Sequence, residues 1–203
     1  SLHIITEEDV FIESKMKHLP FFISGLITFC ACACRSKYHS DPFAQYRDTI
    51  IGKFDGNNID TLVAQPIDTT IDRNLWTWRI YGKNNTVDTL ILSQRFIVRL
   101  IQEGDLDGNG TDEFGVRRET DAGTWDNYCV YTYDNGEWKY LIEPIWTYSD
   151  HFYTDMNKGA DVVERANQSG YVTVRFSDIR NDDFCIIDTL IPIAPHSIPR
   201  QEQ

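Results

Sequence analysis

Fourteen residues, "EGDLDGNGTDEFGV" from Glu103 to Val116, concentrate oxygen donors at regular spacing. Counting from Asp105, side-chain oxygens stand at positions one, three and five as Asp105, Asp107 and Asn109. Gly110 follows at six, Thr111 offers a backbone carbonyl at seven, and Glu113 stands at nine. Alternate oxygens on a chain that then bends sharply can wrap a tight loop around a hard cation, and calcium is the expected ion. An EF-hand would place a bidentate glutamate at position twelve; Val116 is there instead, so that motif is excluded. The competing reading is a solvated turn, for which Asp-Gly and Asn-Gly pairs are common.

The elements that must hold this loop read as strands. Aromatic residues make up 13% of the 203-residue chain, a balance that favours sheets. "WTWRIY" (Trp76 to Tyr81) alternates apolar and polar residues, "GKNN" turns the chain, and "TVDTLIL" alternates again, a hairpin pattern. "YCVYTY" from Tyr128, "DNG" and "EWKYLI" from Glu137 repeat it, with Asn135-Gly136 suited to a two-residue turn. "YVTVRF" (Tyr171 to Phe176) and "FCIIDTLIPI" (Phe184 to Ile193) are further strands. "DMNKGADVVERANQ" (Asp155 to Gln168) reads as a short helix or long loop, Gly159 weakening the helical case.

The loop has a partner in the sequence. "IGKFDGNNIDTLVAQP" from Ile51 aligns without a gap to "EGDLDGNGTDEFGVRR" from Glu103, an offset of 52 residues, and a hairpin follows each copy. Gly52, Asp55, Asn57 and Asp60 match Gly104, Asp107, Asn109 and Asp112, while Lys53 and Thr61 replace the carboxylates of positions one and nine. The first copy is therefore not read as a metal site; the Lys53 ammonium either takes the place of the ion's charge or points into solvent. A weaker third copy lies in "VRFSDIRNDDFCII", where Asp182, Asp183 and Phe184 echo Asp112, Glu113 and Phe114.

A last carboxylate at position nine, followed directly by a strand at Phe114, resembles the calcium loops of the FG-GAP and VCBS-type repeats of integrin-like β-propellers. The resemblance implies Asp105, Asp107, Asn109, the Thr111 carbonyl and Glu113 as ligands, with Asp112 outside the ligand shell. It also implies a mostly β fold of two or three blade-like antiparallel units. Closed propellers typically have four or more blades, so an incomplete propeller, a compact relative and a fragment all remain open.

The N-terminal region carries different information. "MKHLPFFISGLITFCACAC" from Met16 to Cys34 has a basic start, an apolar stretch too short for a bilayer crossing, and an end of small residues and cysteines. It resembles a bacterial lipoprotein signal, with Cys32 or Cys34, each after an alanine, as the lipidated residue. Residues 1–15, with Glu7, Glu8, Asp9 and Glu13, suit a misassigned start or an upstream extension, residues 35–49 a polar tether, and residues 50–203 the working β-rich domain. Membrane attachment through the lipid alone, on the outer-membrane or periplasmic face of the envelope, is the expected location.

A formal net charge of −12 argues against nucleic acid and anionic membrane surfaces as partners. No GxSxG, HExxH, P-loop or Rossmann glycine pattern is present, and Ser149, Asp150 and His151 are too close in sequence to face one another as a triad. Trp76, Trp78 and Trp138 read as core or cross-strand residues, whereas Trp125, beside a polar stretch, is the candidate for stacking on a sugar ring. Cys129 and Cys185 lie in strands, either bridged or as two buried thiols. Calcium and an unidentified protein or glycan are the expected partners of a non-catalytic envelope protein; a carbohydrate-active enzyme or glycan-binding accessory is the alternative.

Overall fold

The computed structural model describes residues 41, 43–68, 76–95, 97–119, 125–148, 162–178 and 185–199, all within the unit Ser40–Gln203. The signal-like segment with Cys32 and Cys34, and the Ser149–His151 stretch, lie outside the described residues. The described residues are mostly β and form three antiparallel sheets, none of them closed.

The first sheet is a meander of β1 (Asp48–Gly52), β2 (Asp60–Asp68), β3 (Trp76–Gly82) and β4 (Leu90–Arg95). The second repeats that order with β5 (Ile97–Gly104), β6 (Glu113–Glu119), β7 (Trp125–Asp134) and β8 (Glu137–Tyr140). It gains β9 (Ile145–Tyr148) against β7, and β13 (His196–Ser197) beyond β8. The third sheet is β10 (Val163–Arg165), β11 (Tyr171–Asp178) and β12 (Cys185–Pro192). The two aligned sequence copies thus occupy the same place in two sheets, each spanning the first two strands and the loop between them.

Packing follows from strand alternation, since successive side chains point to opposite faces. One core cluster joins Phe54, Leu62, Trp78, Ile80 and Leu92 of the first repeat to Leu100, Phe114, Val116, Cys129 and Tyr131 of the second. The other joins Tyr128, Val130 and Ile145 of the second sheet to Val163, Val172 and Val174 of the third. β7 therefore buries both faces, Cys129 and Tyr131 to one side and Tyr128 and Val130 to the other. Its unbroken apolar run "YCVY" is what such a strand requires.

The turn between β7 and β8 is the expected two-residue one, with positive φ at both Asn135 (53°) and Gly136 (82°). Three other expectations change, and one strand is added to them. The connection from β3 to β4 extends to Thr89 instead of ending at "GKNN", because Asp60 and Tyr133 engage its backbone. Val163–Arg165 is a strand, paired with Val172–Val174, not part of a helix. The added strand is β13, with His196 opposite Tyr140. The body is not confined to residues from Ile50 on: a 3-10 turn forms at Ala44–Tyr46, and its Tyr46 ring meets Trp76 edge-on at 4.6 Å.

Candidate metal centre

The loop from Asp105 to Asp112 leaves β5 through an irregularity in the β5–β6 register between Gln102 and Gly104, the kind of bulge that re-aims a chain at a sheet rim. Two anchors set its path. Leu106, 3% exposed, enters the second core cluster, a burial worth about 1.5–3 kcal/mol. Glu113, the first residue of β6, is completely buried. The loop turns back on its own carboxylates: Asp105 accepts N–H bonds from Gly108 (2.7 Å) and Gly110 (3.1 Å), and Asp107 accepts that of Asn109 (2.9 Å).

Asp105, Asp107 and Glu113 converge, each contributing a carboxylate oxygen, with these oxygens within 4.8 Å of one another. Asn109 lies against them: its amide donates to Asp107 at 2.8 Å, and its side-chain oxygen accepts the Thr111 N–H at 2.7 Å. The structure thus joins three of the five expected ligands and links Asn109 to them. Thr111 enters through its N–H.

Like charges and burial raise the pKa values of the carboxyl groups here. Burial first, then the charges of Asp107 and Asp105, push Glu113 from its ordinary 4.5 up to about 8, against bonds from the Leu106 N–H (2.7 Å) and the Thr132 hydroxyl (2.9 Å). Asp107 is also raised, by burial first and then by Asp105, with the Asn109 N–H opposing. All donors are oxygen, the set that hard divalent cations select.

The first-copy loop behaves differently. Asp55, the counterpart of Asp107, accepts the backbone N–H groups of Asn58 (2.7 Å) and Asn57 (2.9 Å) and the Asn58 amide (2.8 Å). The Asn58 bonds hold it below the ordinary carboxylate range. Lys53 is exposed, in keeping with the solvent-facing alternative.

The aspartates at position eight hold backbone. Burial pushes Asp60 up, but bonds from the Thr86 hydroxyl and the Asn84 and Thr61 N–H groups outweigh it and keep it low. Asp112 accepts the Lys53 N–H at 2.7 Å while donating its own N–H to the Lys53 carbonyl at 3.0 Å. This reciprocal pair joins the two repeat loops and keeps Asp112 engaged away from the carboxylate cluster.

Three features escaped sequence reasoning. The β6–β7 register pairs Phe114 with Tyr131, and continuing it sets Thr132 opposite Glu113, so only the register could have identified Thr132. Arg165 reaches Asp105 from the third sheet, 60 residues along the chain. Trp125 is half-buried against Tyr148, with ring centroids 5.4 Å apart, whereas Trp146 is 60% exposed. Trp146 is thus the better-exposed tryptophan, because β9 turns it outward. Cys129 and Cys185 are free thiols, the first buried and the second exposed. Comparison of the chain with protein-family models, curated proteins and solved structures found no match.

Proposed function

We propose that this chain is a calcium-binding module of the bacterial cell envelope, exported and lipid-anchored through Cys32 or Cys34, serving as a non-catalytic binding or structural protein. Its aligned meanders correspond, in this reading, to FG-GAP-like blades. The observation that carries it is the convergence of Asp105, Asp107 and a fully buried Glu113 at one loop. A buried carboxylate beside two others is costly unless protonated or offset by positive charge. A divalent cation supplies that charge, and Asn109 and the Thr111 carbonyl complete the expected donor set. Calcium suits a flexible all-oxygen loop better than magnesium, which requires a near-ideal octahedron and sheds its water reluctantly.

Thermal melting in calcium and in chelator tests the reading. If the dissociation constant is in the tens of micromolar, millimolar calcium stabilises the fold by about 2.7 kcal/mol. Asp107→Ala and Glu113→Ala should each abolish most of that difference. Melting of the unaltered protein that ignores both calcium and chelator, with no tightly held ion after purification, would overturn it.

Trp146 favours a second reading, a glycan-binding accessory or carbohydrate-active protein, since an exposed indole next to the Trp125–Tyr148 pair offers a flat face to a pyranose ring. Glycan-array binding that disappears in Trp146→Ala, with turnover measured on the retained glycans, separates these uses from the first.

A further inference from the structure

The acidic loop has a cationic neighbour whose role the calcium reading leaves unassigned. Arg165, the last residue of β10, brings Nη1 to 3.4 Å from the Asp105 carbonyl oxygen and 3.8 Å from its Oδ2. The guanidinium lies over Gly108, where a Cβ would collide with Nη2. Gly108, at φ +80°, thus gives both the loop's bend and the space that the guanidinium fills. Beside it is a cleft of about 350 Å³ whose lining includes Asp107, Arg165, Asn167, Gln168 and Tyr171.

We propose that Arg165 is a built-in competitor of the metal: its guanidinium and a divalent cation draw on the same carboxylate charge, so calcium loading weakens the link between Arg165 and Asp105. This inference rests on the calcium reading of the loop. The guanidinium is tethered to β10, and the adjoining cleft offers it space to swing away from Asp105. Leu106 and Val163 share one core cluster, so loop and strand are packed into the same seam between the second and third sheets.

Charge, rather than shape, sets the expected effect. A side chain 59% exposed in its ion pair contributes little to folding by itself, so removing it leaves the fold intact. A unit positive charge this close to a divalent ion weakens binding on the order of threefold to tenfold, and salt screens the effect.

Calcium titrations by calorimetry on the unaltered protein, Arg165→Gln and Arg165→Lys, at low and high salt, provide the test. Arg165→Gln should bind calcium about threefold to tenfold more tightly at low salt, with the gap shrinking at high salt, and Arg165→Lys should stay near the unaltered protein. Equal affinity in all three, or weaker binding by Arg165→Gln, overturns the competitor role while leaving the calcium site standing. Absence of calcium binding in every protein, at either salt concentration, overturns the calcium reading and this inference with it.

Discussion

Glu113 combines full burial with two anionic neighbours, and its pKa, raised to about 8, turns that geometry into a pH signature. The folded state holds the Glu113 proton more tightly than the unfolded chain does. Its contribution to stability is therefore complete below about pH 4.5 and declines as pH rises through 8, by at most about 1.4 kcal/mol per pH unit. Chelator-treated protein should accordingly melt at a higher temperature near pH 5.5 than near pH 8, and Glu113→Gln should flatten that slope. Calcium requires the ionised form, so binding at pH 7 should release close to one proton, read from how the calorimetric heat varies with buffer ionisation enthalpy. Asp112 obeys a different logic, because its carboxylate holds the Lys53 N–H. Asp112→Ala should cost about 1–2 kcal/mol with or without calcium and keep the calcium response, a separation visible in paired melting curves.

At the scale of elements, two glycines distinguish strain from crowding. A Cβ at Gly136 meets nothing within 4 Å, but the residue sits at φ +82°. Gly136→Ala should thus cost only the conformational penalty, about 1 kcal/mol. Gly115, in β6, faces the hydroxyl of Tyr128, which donates to Glu103. Gly115→Ala should cost about 1–3 kcal/mol through overpacking and displace the Tyr128 ring, measurable by denaturant titration and near-ultraviolet dichroism. The β7–β8 hairpin was legible because Asn135-Gly136 encodes its turn locally and the alternation on either side encodes its faces. The approach of Asp105, Asp107 and Glu113 was legible for the same reason, being set by one short loop. β10 was not, since a three-residue strand has no period of its own and exists through its pairing with β11. Thr132 and Arg165 were hidden because strand register and inter-sheet packing, rather than nearby sequence, bring them to the loop.

For the whole molecule, the repeated meander explains how sheets of similar order pack face to face, and where they are fastened together. Asp48 accepts the Leu100 N–H at 2.8 Å, joining the first strands of the two repeats, and the Asp112–Lys53 pair joins their loops. At the far end of the first sheet, the Trp138 indole donates to the Asp88 carbonyl at 2.6 Å, and Asp88 donates its N–H to Tyr133. The proposed anchor also belongs to this scale. Expressed from Met16 in a Gram-negative host, the protein should incorporate labelled fatty acid and enter the membrane fraction. Changing both Cys32 and Cys34 to Ser should abolish the label, and changing Cys30 alone should not; unlabelled, unprocessed cytosolic protein would refute the anchor. The two-sided burial of β7 has a further consequence in deuterated water. Between Tyr128 and Tyr131 its backbone lies among β6, β8 and β9 with side chains packed over both faces, so local openings give solvent little access to these amides. Their exchange should be the slowest in the protein and require the sheets to part, so a few deuterium uptake rates in one strand report the stability of the whole without denaturant.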